Sequence, residues 1–284
     1  MTKTIGNPLS WTMGAFGSAV GHTSSAITSV GGADEAPAVV QRLTQADLRM
    51  ALGKGWEDLQ AFRSDVVFVC LLYPVIGAVL IGMAVQGNLL HLLFPVLSGF
   101  ALAGPVAAVG LYEMSRRRER GEPVSWLAYL DVLRSPKFGA IITLGLFHVV
   151  LFMVWIMVAN LIHGMTIGGE APLSAAEFFR QVLTTPAGWS MIVIGMAVGF
   201  VFALVVLAVS VVSFPMILDR DVSLPVAVAT SVRVARENPV VIGTWGLIVA
   251  VSLAVGSALA LIGLVLVLPL LGHATWHLYR AAVR

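Results

Sequence analysis

The chain has 284 residues, of which 58% are apolar and only 11% charged, with a formal net charge of +2. Soluble proteins carry roughly 25% charged residues, so the composition excludes an ordinary water-facing domain and points to a surface bathed in hydrocarbon. A single cysteine, Cys70, excludes a disulfide framework and a thiolate metal cluster.

Residues 1–43 are dominated by Gly, Ser, Ala and Thr and show no helical period, which predicts a disordered or loosely attached tail. Residues 44–284 are expected to form one membrane domain. The N-terminal apolar residues are broken by Gly, Ser and Pro, so the first apolar span is expected to stay as an anchor. A helix needs about 20 apolar residues to cross roughly 30 Å of hydrocarbon. Such runs occupy residues 66–85, 89–112, 138–162 and 188–214. The stretch 239–279 suits two crossings, 239–258 and 260–279, turning near Gly256–Ser257 or Gly263. The competing count is five, with one long bent helix at the end.

Charge sets the expected orientation. The segments before Val66, between Glu113 and Lys137, between Pro215 and Asn238, and after Tyr279 carry 5, 6, 3 and 2 Lys or Arg residues, and only Arg180 lies on the other side. This asymmetry places both termini in the cytoplasm.

Each predicted hairpin follows a short, partly basic amphipathic segment. Around residues 51–64, Leu48, Leu52, Trp56, Leu59 and Phe62 recur at spacings of three and four and give one apolar stripe. Thr44 and Asp47 supply a capping-box start. The second segment, 126–137, places Trp126, Leu130 and Leu133 on one face, and the third, 226–238, is less sharply divided. The even-numbered spans also close alike, with Pro105, Pro215 and Pro269 each followed by Leu and then Arg. The fold expected is an all-α membrane protein of six transmembrane helices in three hairpins, each preceded by a cytoplasmic interfacial helix. The plainer alternative is that any membrane hairpin has basic amphipathic flanks. In the longer outward loop, Ser174 and Glu177 ahead of Phe178 predict a capped interfacial helix.

The predicted spans contain no Asp, Glu, Lys or Arg. Ion-coupled carriers need an intramembrane ionisable group, so this argues against that class. A passive path lined by Asn160, Thr143, Ser210 and Ser213 stays open. Among the histidines, His148 lies about 15 Å from the cytoplasmic end of its span by helical rise. His273 and His277 stand four residues apart on one helix face, a spacing able to hold a metal ion, and facing membrane histidines can ligate haem iron. His148, His273 and His277 are therefore the haem or transition-metal candidates. Against that stand an aromatic-belt role for His277 beside Trp276 and Tyr279 and a helix–helix hydrogen bond for His148. No cofactor is predicted outright. Arg116, Arg117, Arg118 and Arg120, with Trp56 and Trp276, are candidates for contact with anionic headgroups or a partner; the favoured reading of the arginine run is the plainer one, a topology anchor. No phosphate loop, zinc helix or nucleic-acid module is present, and no residue nominates an enzyme.

Several segments resemble one bacterial family of predicted integral membrane proteins, domain of unknown function 2189. They are FPVLSGFALAGPVAAVGLYEMSRRRERGE (94–122), ALGKGWEDL (51–59), SFPMILDRDVS (213–223), SVRVARENP (231–239) and GHATWHLYR (272–280). The resemblance implies an inner-membrane protein typical of proteobacteria, without an assigned activity. Some relatives are labelled cytochrome c oxidase subunit I, but this chain is too short and has too few histidines for that literal role. The expected function is a non-catalytic accessory, assembly or scaffold component of a membrane complex, association with a respiratory complex being the most the label implies. A channel or uncoupled transporter is the first alternative and a haem- or metal-binding redox subunit the second.

Overall fold

The computed structural model describes residues 38–62, 71–86, 89–124, 131–168, 174–259 and 261–284. Among them the chain is helical, and the one pairing of extended backbone is an isolated antiparallel bridge between Val40 and Val283. The helices are α1 (Gln45–Ala61), α2 (Leu72–Gln86), α3 (Leu93–Ala107), α4 (Val109–Glu119), α5 (Phe138–Thr166) and α6 (Ala175–Thr184). They continue with α7 (Pro186–Ser210), α8 (Ser213–Asp219), α9 (Leu224–Glu237), α10 (Pro239–Ala258) and α11 (Leu264–Ala282). Trp126, Leu130 and the start of the predicted span 66–85 lie outside the described residues.

Among the described residues, three helical stretches are long and apolar enough to cross a membrane: Phe138–Thr166, Pro186–Asp219 and Pro239–Ala258. Pro74–Met83 and Leu90–Gly99 are shorter apolar helices. α5 and α7 turn Phe147, Met153, Met157, Val193, Phe200 and Val201 outward, all more than two-fifths exposed. In hydrocarbon such exposure costs nothing. The densest packing lies instead at one end, where α1, α4, α8, α9 and α11 meet around Tyr112, Phe214, Met216, Trp276 and Tyr279. Burying large side chains there removes apolar surface from water.

Local chemistry explains the breaks. Pro105 sits inside α3, lacks an N–H, and the helix is interrupted three residues later at Ala108. α7 yields to α8 at Val211–Val212, where Ser231 of α9 donates to the Ala208 carbonyl (2.7 Å) and accepts from the Val212 N–H (3.3 Å). Between α10 and α11, Leu259 and residues 261–263 are in turn conformation, in the region the sequence indicates. The left-handed residue of that turn is Leu261 (φ 65°) and not a glycine. Its side chain is buried against Gly77 of α2, which offsets the backbone strain. Gly256 and Gly263 lie so close that a Cβ on Gly263 would meet the Gly256 Cα at 2.7 Å.

Two expectations need correction. Residues 38–43, assigned by composition to the tail, are fixed in place. Gln41 N–H donates to the Ala282 carbonyl (2.8 Å), Arg284 N–H to Val39 (3.0 Å) and Leu43 N–H to Asn238 Oδ1 (2.7 Å). The buried face of α1 is also rotated from the predicted stripe. It comprises Leu48, Ala51, Gly55, Asp58 and Leu59, while Trp56 is 50% exposed. The cause is Gly55, whose missing side chain lets α11 approach until Ala274 fills the space. Both predicted caps form: Thr44 and Asp47 exchange hydrogen bonds reciprocally, and Ser174 accepts from Glu177 N–H. The Glu177 carboxylate, however, turns to Arg180 (2.6 Å) and not back to its cap.

Candidate functional site

The end of the bundle that packs most tightly also gathers the charges. Asp58, near the end of α1, is 4% exposed. It accepts from Ser115 Oγ of α4 at 2.6 Å, from His277 Nε2 of α11 at 2.8 Å, and from Arg118. An ionised carboxylate only accepts, so Ser115 spends its proton on Asp58 and its oxygen takes the Nδ1–H of His273 at 2.8 Å. Burial alone would raise the Asp58 pKa, but hydrogen bonds from His277 and Ser115, with the charges of both histidines, together hold it below the ordinary carboxylate value.

Further carboxylates extend the cluster. Glu113, 3% exposed, accepts from Arg116 Nε (2.8 Å) and Arg117 Nε (2.7 Å), and Arg117 continues to Asp131 (3.0 Å). Asp219 at the end of α8 receives Arg120 (3.0 Å), Arg280 (3.2 Å) and the Tyr279 hydroxyl (2.9 Å). Glu119 takes the Trp276 indole N–H (3.0 Å) and Arg280 (3.1 Å). Lys137 donates to the Arg220 carbonyl (2.7 Å) at the C-terminus of α8, where a cation is favoured. Burial there pushes its pKa down, against the pull of Asp221.

Each sequence candidate therefore has a definite place. Arg116, Arg117, Arg118 and Arg120 are all engaged with carboxylates of this chain. Trp276 is 1% exposed and held by Glu119, so it offers no surface to lipid, whereas Trp56 stands outward. His277 borders a polar cleft of about 250 Å³ with Lys54, Glu119 and Arg280. His273 is fully buried beside Phe62 (5.9 Å). His148 packs on Phe214 (5.3 Å) and bonds the Leu144 carbonyl through Nδ1 (2.8 Å). His148 and His273 share no ring or hydrogen-bond partner, and no three His, Cys, Asp or Glu side chains converge as metal ligands among the described residues. His273 and His277 are instead drawn to one carboxylate, lying 4.0 and 2.8 Å from Asp58 Oδ2.

Ser115, 1% exposed and donating to the Asp58 carboxylate, is closed off from the surface. The hydroxyls expected along a solute path each donate to the backbone carbonyl four residues earlier: Thr143 to Gly139, Ser210 to Val206 and Ser213 to Val209. Asn160 pairs with His91 (3.1 Å). What the arrangement does chemically is neutralise buried charge and fasten four helices together. Asp58, Glu113, Ser115 and Asp219 escaped the sequence reading. The usable signal was Asp58 standing three residues after Gly55 and seven after Ala51, on the small-residue face of α1.

Comparison with known proteins bears on this same region. Residues 93–219 match a family of predicted integral membrane proteins, domain of unknown function 2189. The DUF2189 match runs from the start of α3 to the end of α8, so it contains Glu113, Ser115, the arginine run and Asp219. Asp58, His273 and His277 fall outside it, so the cluster joins the DUF2189 stretch to the helices on either side. No curated protein and no solved structure matches the chain.

Proposed function

We propose that this integral membrane protein is a non-catalytic scaffold or accessory component of a membrane complex in the bacterial inner membrane. In this reading it crosses six times as three hairpins, with both termini and the ionic cluster in the cytoplasm. The carrying observation is the mutual neutralisation of Asp58, Glu113, Glu119 and Asp219 by the arginines and histidines at one end, beside spans that present apolar faces. Such a cluster fixes the relative positions of α1, α4, α8 and α11 and leaves the spans free to pack against lipid or other helices. The hydroxyls of Thr143, Ser210 and Ser213, each spent on a backbone carbonyl four residues earlier, favour it over a solute path. Trp56, half exposed on α1, is the proposed contact for a partner or the membrane interface.

Purification in nanodiscs with quantitative mass spectrometry tests this. A partner at fixed stoichiometry, reduced by Trp56→Ala, is expected. Isolation of this chain alone would overturn the scaffold reading, and a Soret band or stoichiometric metal in the same sample would replace it with a redox subunit.

A further inference from the structure

At the end of the bundle remote from the ionic cluster, a cleft of about 380 Å³ opens between α3, α5, α6 and α7. That volume lies within the range of about 300–1,000 Å³ typical of ligand sites. One wall is the stripe Trp155, Ala159 and Ile162 of α5, and the opposite wall is formed around Gly195 of α7. Phe178 of the interfacial helix α6 closes the top. Every lining side chain is apolar except His91.

Three features say what fits. The first is depth: Gly195 stands nine residues after Pro186, the start of α7. By helical rise this is about 13 Å, close to the roughly 15 Å of one leaflet's hydrocarbon. The second is polarity. Trp155 Nε1 at the floor is already satisfied by the Pro95 carbonyl (3.2 Å) and Ser98 Oγ (3.1 Å), so the depth of the cleft offers water no partners. His91, stacked on His163 at 4.2 Å and bonded to Asn160, belongs to the end of the helices. The third is access: Phe94, Phe179 and Met196 on the rim are each about half exposed, giving an apolar entrance.

We propose that this cleft holds one acyl chain of a phospholipid from the leaflet remote from the ionic cluster, with the ester region beside His91. Gly195 is the residue that makes room: nothing lies within 4 Å of where its Cβ would be. A larger side chain at this position fills the cleft without displacing protein.

The test reconstitutes the full chain in phosphatidylethanolamine–phosphatidylglycerol vesicles carrying a phospholipid with a mid-chain diazirine. Crosslinks are expected on peptides containing Trp155–Ala159 and Met191–Met196, falling at least fivefold in Gly195→Phe. Val193→Phe, on the exposed face of the same helix, leaves them unchanged. Ala159→Leu on the facing wall provides a second block should the glycine variant misfold, which its unfolding midpoint reports. Labelling spread evenly over the exposed faces of α5 and α7, and indifferent to both blocking variants, overturns the site. A phosphate-free apolar molecule that co-purifies with the native chain and is lost in Gly195→Phe overturns the phospholipid assignment.

Discussion

Asp58 concentrates the energetics of the cluster in one carboxylate. Replacing it with alanine leaves His277 and Ser115 without their acceptor and Arg118 without its partner. Removing one member of a buried pair costs about 3–5 kcal/mol, and the 39% exposure of Arg118 puts this case near the lower bound. Asp58→Ala is therefore expected to lower the unfolding midpoint in detergent by the equivalent of about 3 kcal/mol, and an unchanged midpoint would refute a central role. The same carboxylate predicts a pH response. Its pKa is lower folded than unfolded, so its stabilisation is complete above the unfolded value of about 4. It is lost as pH falls through the folded value. Below pH 4 the native protein should lose stability more steeply than Asp58→Asn; equal slopes would remove Asp58 as the cause. The arginine run shows what a linear reading misses at this scale. Its charges were visible, but beyond the neighbouring Glu113 their partners are Asp58, Asp131 and Asp219, up to 99 residues away in sequence.

The pairing of α1 with α11 rests on a glycine, which permits a sharp comparison within one helix. A Cβ at Gly55 would lie 2.7 Å from the Ala274 nitrogen and 2.8 Å from its Cβ. At Gly53, on the exposed side, nothing lies within 4 Å. Alanine improves helix propensity by about 1 kcal/mol at either position, but overpacking costs about 1–3 kcal/mol. Gly53→Ala should raise the unfolding midpoint and Gly55→Ala should lower it. Equal shifts of the same sign would show that α1 does not dock through this face. The helix itself, with its Thr44–Asp47 cap, was legible from local chemistry. Its orientation was not, because a hydrophobic stripe favours Leu52 and Trp56, whereas close approach rewards the small residues Ala51 and Gly55. Leu261 teaches the same lesson at the α10–α11 turn: glycines mark the close crossing, but burial of a leucine side chain sets the left-handed residue.

For the whole molecule, membrane residence was legible because lipid exposure changes composition over hundreds of residues at once. The division of labour between the two ends was not, since it depends on α11 being apolar in its first half and polar in its second. Leu266 faces outward, while His273, Trp276 and Tyr279 are buried in the ionic end. This division makes the proposed topology testable by cysteine accessibility in a Cys70→Ser background. Glu122 follows α4 at the ionic end and Thr184 closes α6 at the opposite end, and both are exposed. With the ionic end in the cytoplasm, Thr184→Cys should react with a membrane-impermeant maleimide in intact cells. Glu122→Cys should react only after permeabilisation. The reverse pattern would invert the protein while keeping the two ends on opposite sides. Reaction of both before permeabilisation would break the proposed separation of the ends, and with it the reading of the ionic cluster as a cytoplasmic clamp on the spans.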